Sequence, residues 1–216
     1  SDYNIIFVSE TGSDDKSDFT DELKKGLSKS GIQYKTVTGS ENLLENINAN
    51  LRSGRNILVP SSSSEATLRK ISATVERLNS SSVSLFGYPE WQAYTQHTEA
   101  LHKFDSYIYS IFFLDDQQKE VQDVAEEYKS WYGKNKNNSY PKWGYLGYDA
   151  GLFFLTALKQ YGSEFESNLT KMEVQTLQSA INFERVNGKG GGYINNGLYF
   201  VHYKTNSGIE KVDISK

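Results

Sequence analysis

Within its first 113 residues the chain repeats one unit four times: an apolar run, a polar turn, then a stretch with apolar residues at helical spacing. That alternation predicts an α/β fold with an open, mostly parallel sheet and helices on both faces, since parallel strands need a helical crossover between them. Strands are expected at Asn4–Ser9, Gln33–Val37, Asn56–Val59 and Ser82–Phe86. Sheets of this kind hold ligands just beyond the carboxyl ends of their strands. The turns there are Ser9-Glu10-Thr11-Gly12-Ser13, Pro60-Ser61-Ser62-Ser63-Ser64 and Gly87-Tyr88-Pro89-Glu90-Trp91.

The helices follow from the same periodicity. Ser17 is placed to cap a helix carrying Phe19, Leu23 and Leu27 on one face, with Gly31 ending it. Residues 41–51 and 65–78 repeat the pattern, the latter with Ser63 or Ser64 as its cap. A short helix is expected over 91–104, then a strand over 106–113 with two apolar faces, covered on both sides. Helices over 117–132 and 147–161 follow, each closed by a glycine, with a polar loop at 134–141 between them. A further helix is expected over 171–181, and a glycine run at 188–192 leads to a C-terminal β-hairpin, 198–204 and 209–214, turning at Asn206-Ser207-Gly208.

Composition removes several function classes. A net charge of −4 without a basic block argues against a nucleic-acid partner. The absence of cysteine excludes disulfides and thiolate chemistry. No apolar run reaches the roughly 18 residues of a membrane span, so no transmembrane segment is expected. The chain enters its first strand almost at once and reads as a domain excised from a longer protein, with any signal segment outside it. Aromatics make up 13% of the residues, with 15 tyrosines, which suits either an amphipathic binding face or ordinary half-buried packing.

The candidate ligand-binding residues are Ser9, Thr11, Ser13, Ser61, Ser62, Tyr88, Glu90 and Trp91, hydroxyls and a carboxylate with two aromatic rings at strand ends. Pro89 stiffens the last turn, and a carboxylate beside an indole suits a cationic or sugar-like group. Equally, Ser63 or Ser64 as a cap, Glu90 at a helix start and a packed Trp91 would be structural. His97 and His102 lie five apart, off the spacing for two metal ligands on one helix face, and no metal site is expected. Ser61, His97 and Asp149 supply the residue types of a hydrolytic triad, but no G-x-S-x-G elbow accompanies them. The chain is expected not to be an enzyme and to carry no cofactor. Asn168-Leu169-Thr170 matches a glycosylation acceptor.

Two stretches carry a resemblance. Val124-Ala125-Glu126-Glu127-Tyr128-Lys129-Ser130-Trp131-Tyr132-Gly133, a polar loop, then Gly147-Tyr148-Asp149-Ala150-Gly151-Leu152-Phe153-Phe154 resembles the paired helices of type 1 periplasmic binding proteins, which include branched-chain amino-acid receptors of ABC transporters. Val124 stands where that pattern usually has Phe. The region 4–113 resembles the family's second lobe, and Phe86-Gly87-Tyr88-Pro89-Glu90 is similar to its P-E turn, whose acid contacts the ammonium group of amino-acid ligands. The resemblance implies a Rossmann-like receptor lobe at 1–114, completed by a helical pair and hairpin at 115–216. It further implies a non-catalytic solute-binding domain of the bacterial envelope, with a first lobe of about 120 residues outside this sequence. A small polar molecule such as an amino acid is the implied ligand.

Gly190-Gly191-Gly192-Tyr193 with Asn195-Asn196 is similar to envelope lipoproteins carrying LysM peptidoglycan-binding repeats, placing the chain in the periplasm or anchored at the outer membrane. The alternative is an envelope interaction domain, with an envelope protein as partner and the ligand site lost. In intact receptors the helices around Tyr128 and Tyr148 cover the first lobe. Here they are expected to fold back on the chain's own sheet or to form a homodimer through 117–161. The first turn also resembles the phosphate loop of flavodoxins, which would bind FMN, but Asp14 and Asp15 would repel a dianion.

Overall fold

The computed structural model describes residues 3–9, 14–39, 41–78, 82–135 and 139–215. Candidate residues Thr11 and Ser13 therefore lie outside the described residues. Among those described, β1 (Tyr3–Ser9), β2 (Tyr34–Thr38), β3 (Arg55–Pro60), β4 (Val83–Gly87), β5 (Ser106–Ser110), β8 (Tyr199–Tyr203) and β9 (Ile209–Asp213) form one sheet, ordered β2-β1-β3-β4-β5-β8-β9. The first five strands pair in parallel. The expected α/β class and the C-terminal antiparallel hairpin are both present, the hairpin turning where Lys204 donates to the Gly208 carbonyl at 2.8 Å.

The helices are α1 (Ser17–Lys29), α2 (Leu43–Asn48), α3 (Glu65–Glu76), α4 (Thr98–Lys103), α5 (Lys119–Tyr132) and α6 (Trp143–Tyr161). The chain divides into two compact units, Ser1–Ile108 with His202–Glu210, and Tyr109–Val201 with Lys211–Lys216.

In the first unit the period-two alternation of the strands sets the two sheet faces. Phe7 meets Lys24 of α1, and Phe86 stacks on Phe19 of α1 with ring centroids 6.4 Å apart. Right-handed crossovers then put α2 and α3 on the opposite face, where Ile6, Val8, Leu58 and Leu85 are fully buried. Each fully buried aliphatic side chain contributes about 1.5–3 kcal/mol. At the strand starts, Asn4 and Asn56 are buried and bonded to each other at 2.8 Å. Asn56 also takes the Arg52 N–H at 3.0 Å and donates to the Arg52 and Gly54 carbonyls.

Several local expectations are corrected. Ser17 is the first residue of α1 rather than its cap, and its N–H goes to the Asp14 carbonyl at 3.2 Å. Ser64 does cap α3, accepting from the Thr67 N–H. The helix expected over 91–104 breaks into 3₁₀ turns at Pro89–Ala93 and Thr95–His97 before α4. The interruption is at Tyr94, whose ψ of 64° leaves the helical region, and just before it the Trp91 ring packs where a Cβ on Gly87 would sit, 2.2 Å from its atoms.

The strand β5 stops at Ser110, three residues early, because the Ser110 hydroxyl bonds to the Phe112 backbone and competes with the ladder. Its buried side carries Ser106, Ile108 and Ser110 rather than an all-apolar row.

The second unit contains the largest departure. No helix forms over 171–181; instead a 3₁₀ segment ends at Lys171 and the following chain is extended. The fully buried Asp149 of α6 accepts the backbone N–H groups of Leu177 (2.7 Å), Gln178 (2.8 Å) and Ser179 (2.8 Å). A segment whose N–H groups are held by a side chain cannot offer them to a helix. Its other edge bridges Phe112, with Ala180 donating to the Ile111 carbonyl at 2.9 Å. The glycine run lies inside an additional hairpin, β6 (Phe183–Arg185) with β7 (Tyr193–Asn195), where a Cβ on Gly191 would overlap the Val186 carbonyl.

Asp149→Asn should destabilise the chain by about 3 kcal/mol, because an amide nitrogen then faces a backbone N–H in either orientation. Urea denaturation of parent and variant measures this, and an unchanged midpoint would refute the clamp.

Candidate functional site

Three parallel strands of the first unit, β1, β3 and β4, end side by side, and the residues after them form a polar rim. Lys16 is held there by its own backbone, which donates to the Ser61 carbonyl at 2.9 Å, while Ser61 donates to the Val8 carbonyl at 2.9 Å. The Lys16 ammonium meets Glu90 Oε1 at 2.6 Å and lies 5.4 Å from the centroid of the Tyr88 ring. Tyr88 is fully buried, and its hydroxyl donates to the Pro60 carbonyl, tying the end of β4 to that of β3.

The serine turn is engaged from the first turn's side. Ser61 Oγ donates to Asp14, and Ser63 gives both its N–H (3.0 Å) and its hydroxyl (2.5 Å) to Asp15. Ser62 is fully buried and accepts the Ser64 N–H at 3.2 Å. Burial tends to raise the Asp15 carboxyl, but the Ser62 and Ser63 hydroxyls, the Ser63 N–H and the Lys16 charge together hold it below its ordinary value of 3.8. Ser9 turns to its sheet neighbour, its hydroxyl 3.4 Å from the Val37 carbonyl.

Two polar atoms of the rim are buried without a hydrogen-bond partner among the described residues: Glu90 Oε2 and the indole N–H of Trp91, whose side chain is 1% exposed. Such atoms are costly unless something pairs with them. Of the sequence candidates, Ser61, Ser62, Tyr88, Glu90 and Trp91 thus come together, and Ser9 lies at the end of the adjoining strand.

Sequence reading took Asp14 and Asp15 only as a barrier to phosphate and assigned Lys16 nothing, whereas the three are the partners of the serines and of Glu90. The signal was an acidic pair followed by lysine directly after the first strand-end turn. The paper triad does not assemble: Ser61 bonds Asp14, His97 bonds Glu65 at 3.1 Å, and both Asp149 oxygens hold backbone. His202 stacks on Tyr107 at 4.0 Å and bonds Asp105 at 2.7 Å. Among the described residues no cluster of metal-ligating side chains occurs.

Comparison with solved structures places this architecture. An amino acid ABC transporter substrate-binding protein from Pseudomonas fluorescens Pf-5 matches with a TM-score of 0.56 at 12% identity, over 97% of this chain and 58% of that one. The fold is that of the type 1 periplasmic binding proteins. A substrate-binding periplasmic protein from Ralstonia solanacearum gives 0.56 at 9% identity, covering 97% and 61%. A structure titled as an ABC transporter permease from the Pseudomonas fluorescens group gives 0.58 at 11%, covering 97% and 55%.

The chain thus spans 55–61% of the length of these three solved structures. No protein-family model matches the sequence, and neither does any curated protein.

Because the Asp15 carboxyl is depressed in the fold, its bonds contribute stability above the ordinary carboxylate range and lose it as pH falls through the lower folded-state value. Asp15→Asn should therefore be less stable than the parent at neutral pH, with the gap closing below pH 3.8. Denaturant midpoints across that range test it, and a gap independent of pH would contradict the assignment.

Proposed function

We propose that the chain is a non-catalytic, receptor-like domain of the bacterial cell envelope, periplasmic or anchored at the outer membrane, whose strand-end rim supplies half of a site for a small polar zwitterion such as an amino acid. The observation that carries this reading is a pair of buried atoms without partners among the described residues, an acceptor on Glu90 and a donor on Trp91, next to a Lys16–Glu90 ion pair. A zwitterion matches that set: its ammonium suits Glu90 Oε2, and its carboxylate suits Lys16 and the indole N–H. The solved relatives titled as substrate-binding proteins agree with it. Receptors of this fold class divide their contacts between two lobes that close together, so one lobe alone binds weakly.

A second reading, an envelope interaction domain without a small ligand, is favoured by the serines. Ser61 and Ser63 already bond Asp14 and Asp15, so a ligand would have to displace carboxylates to reach them. One titration separates the two. Trp131 and Trp143 are solvent-exposed, so the indole N–H resonance of buried Trp91 is distinguishable by NMR. Under the first reading, glycine, leucine or glutamate at millimolar concentration moves that resonance, and Glu90→Gln abolishes the response. A resonance unmoved by every amino acid would leave the interaction domain as the reading.

Self-association belongs to this proposal and rests on the second unit. Along α6, Trp143, Phe154, Leu155 and Leu158 are exposed, and the charged residue among them, Asp149, is buried. An apolar stripe of this kind marks a contact surface, and a second copy would bury it on both chains. Light scattering should show a dimer for the parent and a monomer for Leu155→Glu/Leu158→Glu with unchanged circular dichroism. A monomeric parent at every concentration would remove the pairing.

A further inference from the structure

The second unit contains a cavity of about 710 Å³ whose lining shares no residue with the strand-end rim. That volume lies within the range of about 300–1,000 Å³ typical of small-molecule sites. Met172, Ile181 and Tyr199 give the wall an apolar part, while Gln118, Gln175 and Lys211, with the carboxylates of Glu173 and Asp213, give it a polar part. Met172 belongs to a core cluster with Phe153, Ala157 and Leu169, so this part of the wall is anchored in packed structure. Tyr199 is buried and its hydroxyl donates to the Ser179 carbonyl at 3.0 Å, which fixes the ring.

Lys211 is the unusual member. Its ammonium lies 4.8 Å from the centroid of the Tyr199 ring. Lys16, Lys24, Lys103, Lys119, Lys142 and Lys204 each meet a carboxylate within 3.1 Å. Half-buried Lys211 pairs with no carboxylate and no hydrogen-bond acceptor among the described residues. Burial lowers its affinity for a proton, and Asp115, Asp149 and Asp213 oppose that only as charges at a distance. The side-chain amides of half-buried Gln118 and of exposed Gln175 line the same cavity and make no hydrogen bond to another described residue. A partly desolvated cation beside unpaired donors is stabilised by an anion that restores the lost hydration. The surrounding carboxylates set the charge of that anion: a monoanion gains from Lys211, whereas a dianion meets additional repulsion.

We propose that this cavity binds the carboxylate of a small organic monoanion, with Lys211 as its charge partner, the amides of Gln118 and Gln175 as donors, and Met172 and Ile181 seating its hydrocarbon part.

Met172 is the only methionine in the chain, so ¹³C-methyl labelling of methionine gives one NMR signal, and it lies in the cavity wall. Butyrate, its neutral isostere butyramide and inorganic phosphate are titrated into the full chain. Butyrate should shift the Met172 signal saturably at millimolar concentration, and butyramide should bind about tenfold more weakly. Lys211→Gln should weaken butyrate by a similar factor without changing butyramide, while Lys211→Arg should retain the response. A butyrate response equal to that of butyramide, no response to either, phosphate binding more tightly than butyrate, or butyrate binding unchanged in Lys211→Gln would each overturn the proposal. The Met172 signal of each unliganded variant reports whether its cavity is intact. Should Lys211→Gln disturb that signal, the butyrate and butyramide comparison in the parent and in Lys211→Arg decides.

Discussion

The common direction of β1, β3 and β4 is the constraint from which the first unit follows. Parallel pairing brings three strand ends to one edge, and each end must dispose of polar backbone and side chains where the ladder stops. The chain resolves this by pairing the turns with one another. The Asp14-Asp15-Lys16 stretch after β1 reaches Ser61, Ser63 and Glu90, and Tyr88 reaches Pro60. In a rim assembled this way the polar groups of neighbouring turns hold one another in place through bonds within the chain. Lys16 is central because its backbone joins the β3 turn while its ammonium joins the β4 turn.

The second unit uses the same chemistry to a different end. Asp149 directs a carboxylate at three consecutive N–H groups and thereby holds an extended segment that apolar spacing alone would place in a helix. Gln178 adds to the clamp by bonding the Lys142 backbone in both directions, 3.0 Å to its N–H and 3.3 Å to its carbonyl. The tyrosine-aspartate-alanine sequence at 148–150 is therefore a structural device. Its aspartate organises backbone inside the unit, and both of its oxygens are occupied in doing so.

Rim and cavity differ in how their charges are balanced. At the rim, Lys16 and Glu90 are paired, and the atoms without partners among the described residues are an indole N–H and one carboxylate oxygen, both buried. In the cavity, an ammonium group pairs with no carboxylate among the described residues and rests on an aromatic face. Cation–π contact of this kind supplies about 0.5–1 kcal/mol at an exposed site, less than a carboxylate partner would provide in a partly buried one. That difference in charge balance is why the two proposals name different ligands, a zwitterion for the rim and a monoanion for the cavity.

The strands, their parallel order and the terminal hairpin were legible in the sequence because side-chain alternation and turn residues are local signals. So was the rim, since Ser61, Tyr88, Glu90 and Trp91 each follow a readable strand. What escaped were effects between residues far apart in the chain. The 171–181 segment has helical spacing, yet Asp149, about thirty positions earlier, takes its N–H groups. The cavity around Lys211 exists only once β8, β9 and the 170–176 segment meet. Periodicity determines which face of an element is apolar; which polar group satisfies which backbone atom depends on distances that arise only when the elements pack.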